Sequence, residues 1–402
     1  MKRETSKFNT SSEQTLLQIE GEWYDLTQWK HCHPGGAEIL DTLQGQDCTD
    51  VFTSLHSKEA FERLQRLKKV PKEKAPSLHD APDHVKAFRE FREQLVKDGY
   101  FDRSLPLDLF YVLHPFVLAY VAYWLATQDF TGAWALSSFV LGLAMTQSGW
   151  VGHDYQHGRG GFCSTVAPFV SGLLNAFDAR WWSRKHNGAH HAFVNVHDLD
   201  VDIQLEPVFF LLQPREDDKD HWLRRWQHVY FVPVVSLLYW SWRWQSLQSM
   251  LLHRQWVAIL MAAINYASML LFFPWLVFVA SVFIGGFLVG IIVTASHQAE
   301  PITHSSSVEA YDFVKLTFVG TRNAKTRCFV DEWLWGGMQY QLEHHLFPTM
   351  PKFRYASVAP LVRRWAQQHG LEYKCDDAFD LIRRNYNHIS HVASSDGKPH
   401  LH

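Results

Sequence analysis

The chain has 402 residues, 47% of them hydrophobic, and a formal net charge of −3. That length suits two or three domains, and the near-neutral balance provides no electrostatic footprint for nucleic acid. Its five cysteines are scattered and odd in number, with no CxxC pair, which favours a reducing, cytosol-facing protein without a disulfide framework.

The opening MKRETSKFNTSSEQ is polar and has no signal-peptide pattern. Residues 10–72 read as one compact polar unit. Leu16–Glu20 and Trp23–Leu26 are expected as two short strands around a Gly21-Glu22 turn. Helical periodicity follows around Ala37–Leu43 and Glu59–Leu67. Within this unit His33-Pro34-Gly35-Gly36 is followed by His56, 23 residues on. Adjacent glycines permit a tight turn that brings backbone close to a flat cofactor. Two imidazoles facing each other across a plane fill the axial positions of a haem iron, which leaves electron transfer as the available chemistry. Ile39, Leu40, Leu43, Val51, Phe52 and Leu55 are expected to line the slot. HPGGAEIL, GQDCTDVF and the LH at Leu55-His56 resemble cytochrome b5, and that resemblance implies haem b held by His33 and His56. His31 lies outside the motif and reads as a surface residue.

Residues 73–104 are expected as a linker, Lys72–Ala81 with prolines at 71, 76 and 82, and an amphipathic helix over Asp83–Lys97. Val85, Phe88, Phe91 and Leu95 share one stripe of that helix. From 105 to 375 the chain reads as one membrane-embedded unit, and residues 376–402 as a soluble tail. Four stretches approach the ~20 apolar residues that a bilayer crossing takes: Leu107–Thr127, Trp134–Val151, Trp256–Phe273 and Trp275–Ser296, the last two joined at Pro274. The 17 tryptophans, many near segment ends, suit membrane interfaces. Val166–Phe177 and Val229–Trp240 are too short to cross and are expected as in-plane or re-entrant helices.

Lys and Arg placement predicts the orientation. The turns Gln128–Gly132 and around Pro274 contain none. The opposite flanks carry Arg103, Arg159, Arg180, Arg184, Lys185, Arg243, Arg254 and Lys315. Both termini are then cytosolic, on the same side as three histidine clusters: His153-Asp-Tyr-Gln-His157, His186-Asn-Gly-Ala-His190-His191 and Gln341-Leu-Glu-His344-His345. Residues at i and i+4 share a helical face, and neutral imidazole is the commonest metal ligand. Three such clusters beside apolar segments point to a membrane-bound, multi-metal oxidation site. An odd span count would have separated them.

With these clusters in this order behind a cytochrome b5-like unit, nearly the whole chain resembles the front-end fatty acyl desaturases. Trp181-Trp182, Asn195 and GGMQYQLEHHLFPTMPKF support the resemblance, and Gln341 in place of a first histidine is that family's marker. The resemblance implies an α-helical integral membrane protein with four transmembrane helices and a cytosolic histidine-rich di-iron cap, preceded by a small α+β haem domain. It implies two non-haem iron ions, which need roughly eight or nine protein ligands with positions left for oxygen. The ligands would be His153, His157, His186, His190, His191, His344 and His345, with Gln341 as a weak oxygen donor, and His297 from the histidine that follows the fourth span in this superfamily.

Asp154, Asp198, Asp200, Asp202 and Glu343 are candidates to accept the outer N–H of the ligating rings. Trp181, Trp182, Trp333 and Trp335 are candidates to border an acyl tunnel. The chain departs from the family in two places. Asp200-Val-Asp202 lacks the usual proline, and the middle cluster has three residues between its first two histidines where most relatives have two. The second departure leaves open which ring serves which iron.

The activity implied is insertion of a cis double bond between an existing one and the carboxyl end of a polyunsaturated acyl chain, using O2. Electrons would come from NADH through a cytochrome b5 reductase and the chain's own haem. The expected partners are a CoA- or phospholipid-linked acyl substrate, that reductase and the bilayer of the endoplasmic reticulum. The rivals are a fatty acyl hydroxylase or a sphingolipid long-chain-base desaturase of the same superfamily, and a non-catalytic membrane electron carrier. Position of desaturation, chain length and acyl carrier are not encoded in any recognisable motif.

Overall fold

A computed structural model describes residues 14–78, 80–158, 161–214, 220–305 and 311–395. Residues 10–13, His79, Arg159, residues 396–399, His400, Leu401 and His402 lie outside them.

The N-terminal unit begins with strands β1 (Leu16–Ile19) and β2 (Glu22–Asp25), antiparallel and paired Leu16 to Asp25. Glu20 and Gly21 both take positive φ at the turn (51° and 76°), the geometry a two-residue hairpin requires. Helices α1 (Ala37–Thr42), α2 (Thr49–Leu55) and α3 (Lys58–Leu64) follow. Of these α2 had no periodic signature of its own. Helix α4 spans Asp83–Lys97. Its stripe is buried as expected: Phe88 stacks on Phe347 at 5.6 Å and Phe91 on Trp365 at 5.8 Å. Burying one such ring stabilises by about 1.5–3 kcal/mol.

The expected apolar segments form α5 (Leu105–Ala126), α6 (Ala133–His157), α11 (Trp256–Phe272) and α12 (Trp275–Ala295). Among the described residues only α5 and α12 are both long and apolar enough to cross a membrane. Helix α11 has 17 residues. Helix α6 is long enough, but its interior carries Ser137, Ser138, Thr146, Gln147 and Ser148, all buried. It is the central helix, packed on α5, on α12 and on α7 (Gly161–Asn175). At Gly142 a Cβ would stand 2.6 Å from a methyl carbon of Ile284, so the α6–α12 crossing depends on its absence. Helix α5, with 17% of its apolar window buried, turns Leu109, Phe110, Leu113, Val117 and Trp124 outward.

After α8 (Ala179–Ser183), a π-helical turn Arg184–His190 and strand β3 (Val196–His197) comes the bent pair α9 (Trp222–Ser236) and α10 (Leu238–Leu252). Helix α9 exposes Trp222, Trp226 and Val229 along one face. Arg243 of α10, counted among the flanking charges, is 3% exposed and donates to Asn265 Oδ1 at 3.1 Å. It is a structural cation inside the helix packing.

Strand β4 (Thr303–His304) pairs with β3, and α13 (Phe313–Gly320) leads to β5 (Asn323–Lys325). Then come α14 (Phe329–Trp335), α15 (Gln341–Leu346), α16 (Tyr355–Gln368), strand β6 (Cys375–Asp377) beside β5, and α17 (Ala378–Ser394). The segment from 376, expected as a soluble tail, is therefore helical through Ser394. It packs on α9 and α12 with Leu381 and Ile389 fully buried. The tail expectation missed this because the apolar residues of α17 recur at helical spacing, the pattern of a half-buried helix.

The N-terminal unit is clamped to the rest. Arg89 bridges Asp47 and Asp50 at 2.8 Å each, and Arg92 donates to the Thr53 carbonyl. Ser54 Oγ donates to the Leu346 carbonyl at 3.1 Å, one residue past His345.

Candidate metal centre

The two histidines of the N-terminal unit face each other across an apolar cleft. Their ring centroids are 6.1 Å apart and 24° from parallel. His33 Nδ1 lies 3.0 Å from the Gly36 carbonyl and His56 Nδ1 3.1 Å from the Phe52 carbonyl. Each carbonyl holds the proton on Nδ1, which leaves the Nε2 lone pair for a metal. The separation admits one ion between two bonds of roughly 2 Å. All six apolar residues expected at the slot line a cavity of about 700 Å3 there. The site therefore fits a flat iron macrocycle held from both sides. The cavity wall also includes Ser183, Asn187 and Gly188, which belong to the middle histidine segment.

The three clusters converge. The last turn of α6 supplies His153 and His157, the π turn supplies His186, His190 and His191, and α15 supplies Gln341, His344 and His345. The residues just past α12 add His297. Donor atoms of His153, His157, His186, His191 and His344 lie within 4.8 Å of one another, and so do those of His190, His297 and His345. Nε2 of His186 is 2.8 Å from that of His153 and 3.2 Å from that of His191. Neutral imidazoles this close have more lone pairs than protons to share, and a cation relieves the excess. His344 Nε2 and Gln341 Oε1 are buried without a hydrogen-bond partner, a cost avoided when a metal occupies them. Gln341 lies beside the second group, but it is the amide Nε2, a hydrogen-bond donor, that is 2.6 Å from His297 Nε2 and 3.2 Å from His345 Nε2, not the oxygen expected as a weak ligand.

The longer middle cluster does not behave as an ordinary helix. Its extra residue is absorbed as a π turn, in which His191 N–H donates to the His186 carbonyl, an i to i+5 bond of 3.1 Å. His186 and His191 thereby join the first group and His190 the second. The expectation that His186 and His190 share one face by i, i+4 spacing holds, with rings stacked at 5.1 Å and both approaching Asp202, although each joins a different donor group.

Outer contacts fix the rings. His190 Nδ1 donates to Asp200, at 3.0 and 2.9 Å from its oxygens. Asp200 also accepts from the N–H groups of Asn195 and Asp202. Asp202 faces His186 Nδ1 at 3.5 Å and pairs with Lys185 at 2.9 Å. Burial lowers the His186 pKa to about 4 despite Asp202, so its ring is neutral, the form that binds metal. At His190 burial acts in the same direction, but the Asp200 charge outweighs it and holds the ring proton. Of the five acidic candidates, only Asp200 and Asp202 support rings. Asp154 pairs with Arg103 at 2.9 Å and accepts from Lys352 N–H, while Glu343 accepts from Asn323 and Tyr373. Asp198 pairs with His197. Two supports had no sequence signal: Tyr355 Oη at 3.2 Å from His344 Nδ1, and the Gly320 carbonyl at 3.0 Å from His297 Nδ1. They come from α16 and α13, outside the histidine motifs themselves.

A cavity of about 500 Å3 ends on this centre. His153, His186, His190, His297 and Gln341 form one end, and Phe209, Phe231, Val235, Tyr239 and Val293 are among its apolar walls. Of the four candidate tryptophans only Trp182 lines it. The buried Trp335 packs within the helix core instead, and Trp150, unforeseen, takes a place in the wall.

Comparison with known proteins accords with this geometry. Residues 129–376 match the family model described as fatty acid desaturase, and residues 1–94 that of a cytochrome b5-like haem/steroid binding domain. The chain is 29% identical to the Delta(5) fatty acid desaturase of Caenorhabditis elegans, over 94% of this chain and 96% of the relative. It is 30% identical to human fatty acid desaturase 3, over 89% and 85% respectively. A Delta(8)-fatty-acid desaturase of Euglena gracilis is 29% identical, over 89% and 90%.

Proposed function

Because this chain belongs to the fatty acid desaturase family and carries a cytochrome b5-like domain, it is an oxidoreductase that desaturates fatty acyl chains, and we propose that it is a front-end member drawing electrons through its own haem. The observation that carries the reading is the apolar cavity ending on both histidine groups. Such a slot fits an alkyl chain and brings an unactivated methylene pair to a metal site. The residues assigned to two iron ions are His153, His157, His186, His191 and His344 for one, and His190, His297 and His345 with Gln341 for the other. His33 and His56 hold the haem.

Bound iron supplies the oxidising power for the overall change, in which –CH2–CH2–, O2, two electrons and two protons give –CH=CH– and two waters. The protein's share is positional. The cavity walls hold the chain, the ring of supports at Asp200, Asp202, Tyr355 and Gly320 fixes the imidazoles, and burial excludes bulk water. Electrons come from NADH by way of a cytochrome b5 reductase. α5, α6, α11 and α12 span the endoplasmic reticulum membrane, with both termini and the histidine groups on the cytosolic side. The exposed apolar faces of α5 and α11 and the Lys- and Arg-free turns support that orientation.

Expression in yeast fed defined polyunsaturated acids, with gas chromatography of the products, tests the reading. New double bonds on the carboxyl side of existing ones are expected, whereas hydroxylated products would move the chain to the hydroxylases. Two further outcomes are expected. Asp200→Asn removes the charge holding the His190 proton and lowers metal affinity about 10–100-fold, measured by iron retained after dialysis against a chelator. Val293→Phe narrows the cavity and lowers kcat/KM for the longer of two acyl chains about tenfold for each methylene excluded, measured by competition between the two substrates.

A further inference from the structure

The longer middle cluster contains a glycine with a neighbour outside the cluster. A Cβ on Gly188 would stand 3.0 Å from the carbonyl oxygen of Gly35 and 3.9 Å from its Cα. Gly35 belongs to the turn that follows His33. Backbone thus meets backbone where the haem cleft abuts the metal segment, and Asn187, Gly188 and Ser183 form part of the cleft wall. Gly188 sits midway between His186 and His190, one from each metal group. Gly188 lies within the π turn, and the lack of a side chain there lets the His33 turn settle on it.

We propose that the turn Asn187-Gly188 is a docking seat that fixes the haem cleft against the metal centre, and that Gly188 is a positioning residue for internal electron delivery. The inference rests on the electron route proposed above. Each electron leaves the haem singly, and two such deliveries complete one desaturation. Arg89, Ser54 and the Tyr311 N–H, which donates to Gln46 Oε1 at 3.2 Å, hold the N-terminal unit in register, and the contact at Gly188 sets the His33 turn against the metal segment.

Gly188→Ala and Gly188→Val in the full-length enzyme test this in graded fashion. φ at 188 lies in the ordinary region, so a side chain there introduces no backbone strain, and the atoms nearest its Cβ belong to Gly35. In stopped flow, haem reduction by the reductase is expected to be unchanged. Reoxidation of the reduced haem, with acyl substrate and O2 present, is expected to slow in the order Gly, Ala, Val, by at least about tenfold in Val, in keeping with the cost of small misplacements. A second readout needs neither cofactor nor turnover. Hydrogen–deuterium exchange of the apo protein is expected to rise in the peptide covering residues 33–36, more in Val than in Ala. Unchanged reoxidation in both variants would overturn the proposal, and so would unchanged exchange at 33–36. Loss of iron in Val with normal reoxidation in Ala would also overturn it, because the residue would then serve the ligands. The underlying electron route has its own test in His33→Ala. If that variant is inactive while Gly188→Val reoxidises normally, the docking seat alone fails.

Discussion

His190→Ala is expected to reduce desaturation at least about 10³-fold, well beyond the roughly 10–100-fold loss for a residue that only supports a ligand. Three observations set that scale. The ring lies 4.8 Å, centroid to centroid, from both His297 and His345, so it belongs to the smaller donor group, where each loss removes a larger share of the ligands. It contacts His186 of the larger group at 5.1 Å, so its loss is felt on both sides. Its removal also leaves the fully buried Asp200 carboxylate with only two backbone donors, an under-compensated buried charge beside the remaining ligands. Iron analysis of the purified variant is expected to show about one non-haem iron per chain, while the haem Soret band is unchanged. Wild-type activity with full iron would remove His190 from the ligand set.

His33→Ala is expected to bring turnover without added cytochrome b5 to background, at least about a hundredfold down, while the membrane helices and non-haem iron stay intact. The haem module contributes its carrier at the ~millimolar effective concentration typical of a short tether. Free cytochrome b5 should therefore restore activity only as its concentration approaches that range. The His33 ring contacts Trp29 and His56, both within the haem module. The clamps from Arg89 and Ser54 remain, so loss of activity would not report unfolding. Circular dichroism and iron content separate the two explanations, and full activity without added carrier would refute the fused-donor role.

Much of this centre was legible in the residues themselves. Histidines at close helical spacing are a local signal, and the eight rings the sequence nominated fall into the two donor groups. The cleft residues from Ile39 to Leu55 were equally plain, because a turn of two glycines and a short apolar helix declare their partners within a few dozen positions. What escaped was what tertiary packing decides. Tyr355 and the Gly320 carbonyl support rings from elements whose own sequences carry no ligand pattern. Asp154 and Glu343 sit inside cluster motifs, yet cationic and amide neighbours claim them. Trp181 and Trp333 were candidates for the apolar slot that a buried alkyl chain needs, but neither lines the cavity. The extra middle residue was visible as a departure. Its consequence, a π turn that gives His186 and His190 to different donor groups and places Gly188 against the haem turn, required the third dimension.

The most direct measurement is the structure of the product formed from one defined polyunsaturated acyl substrate, read by gas chromatography and mass spectrometry with derivatisation of the double bonds. The account predicts loss of two hydrogens and a new cis double bond between the existing ones and the carboxyl end. An added oxygen, a double bond on the methyl side, or unchanged substrate with both irons and haem in place would contradict it.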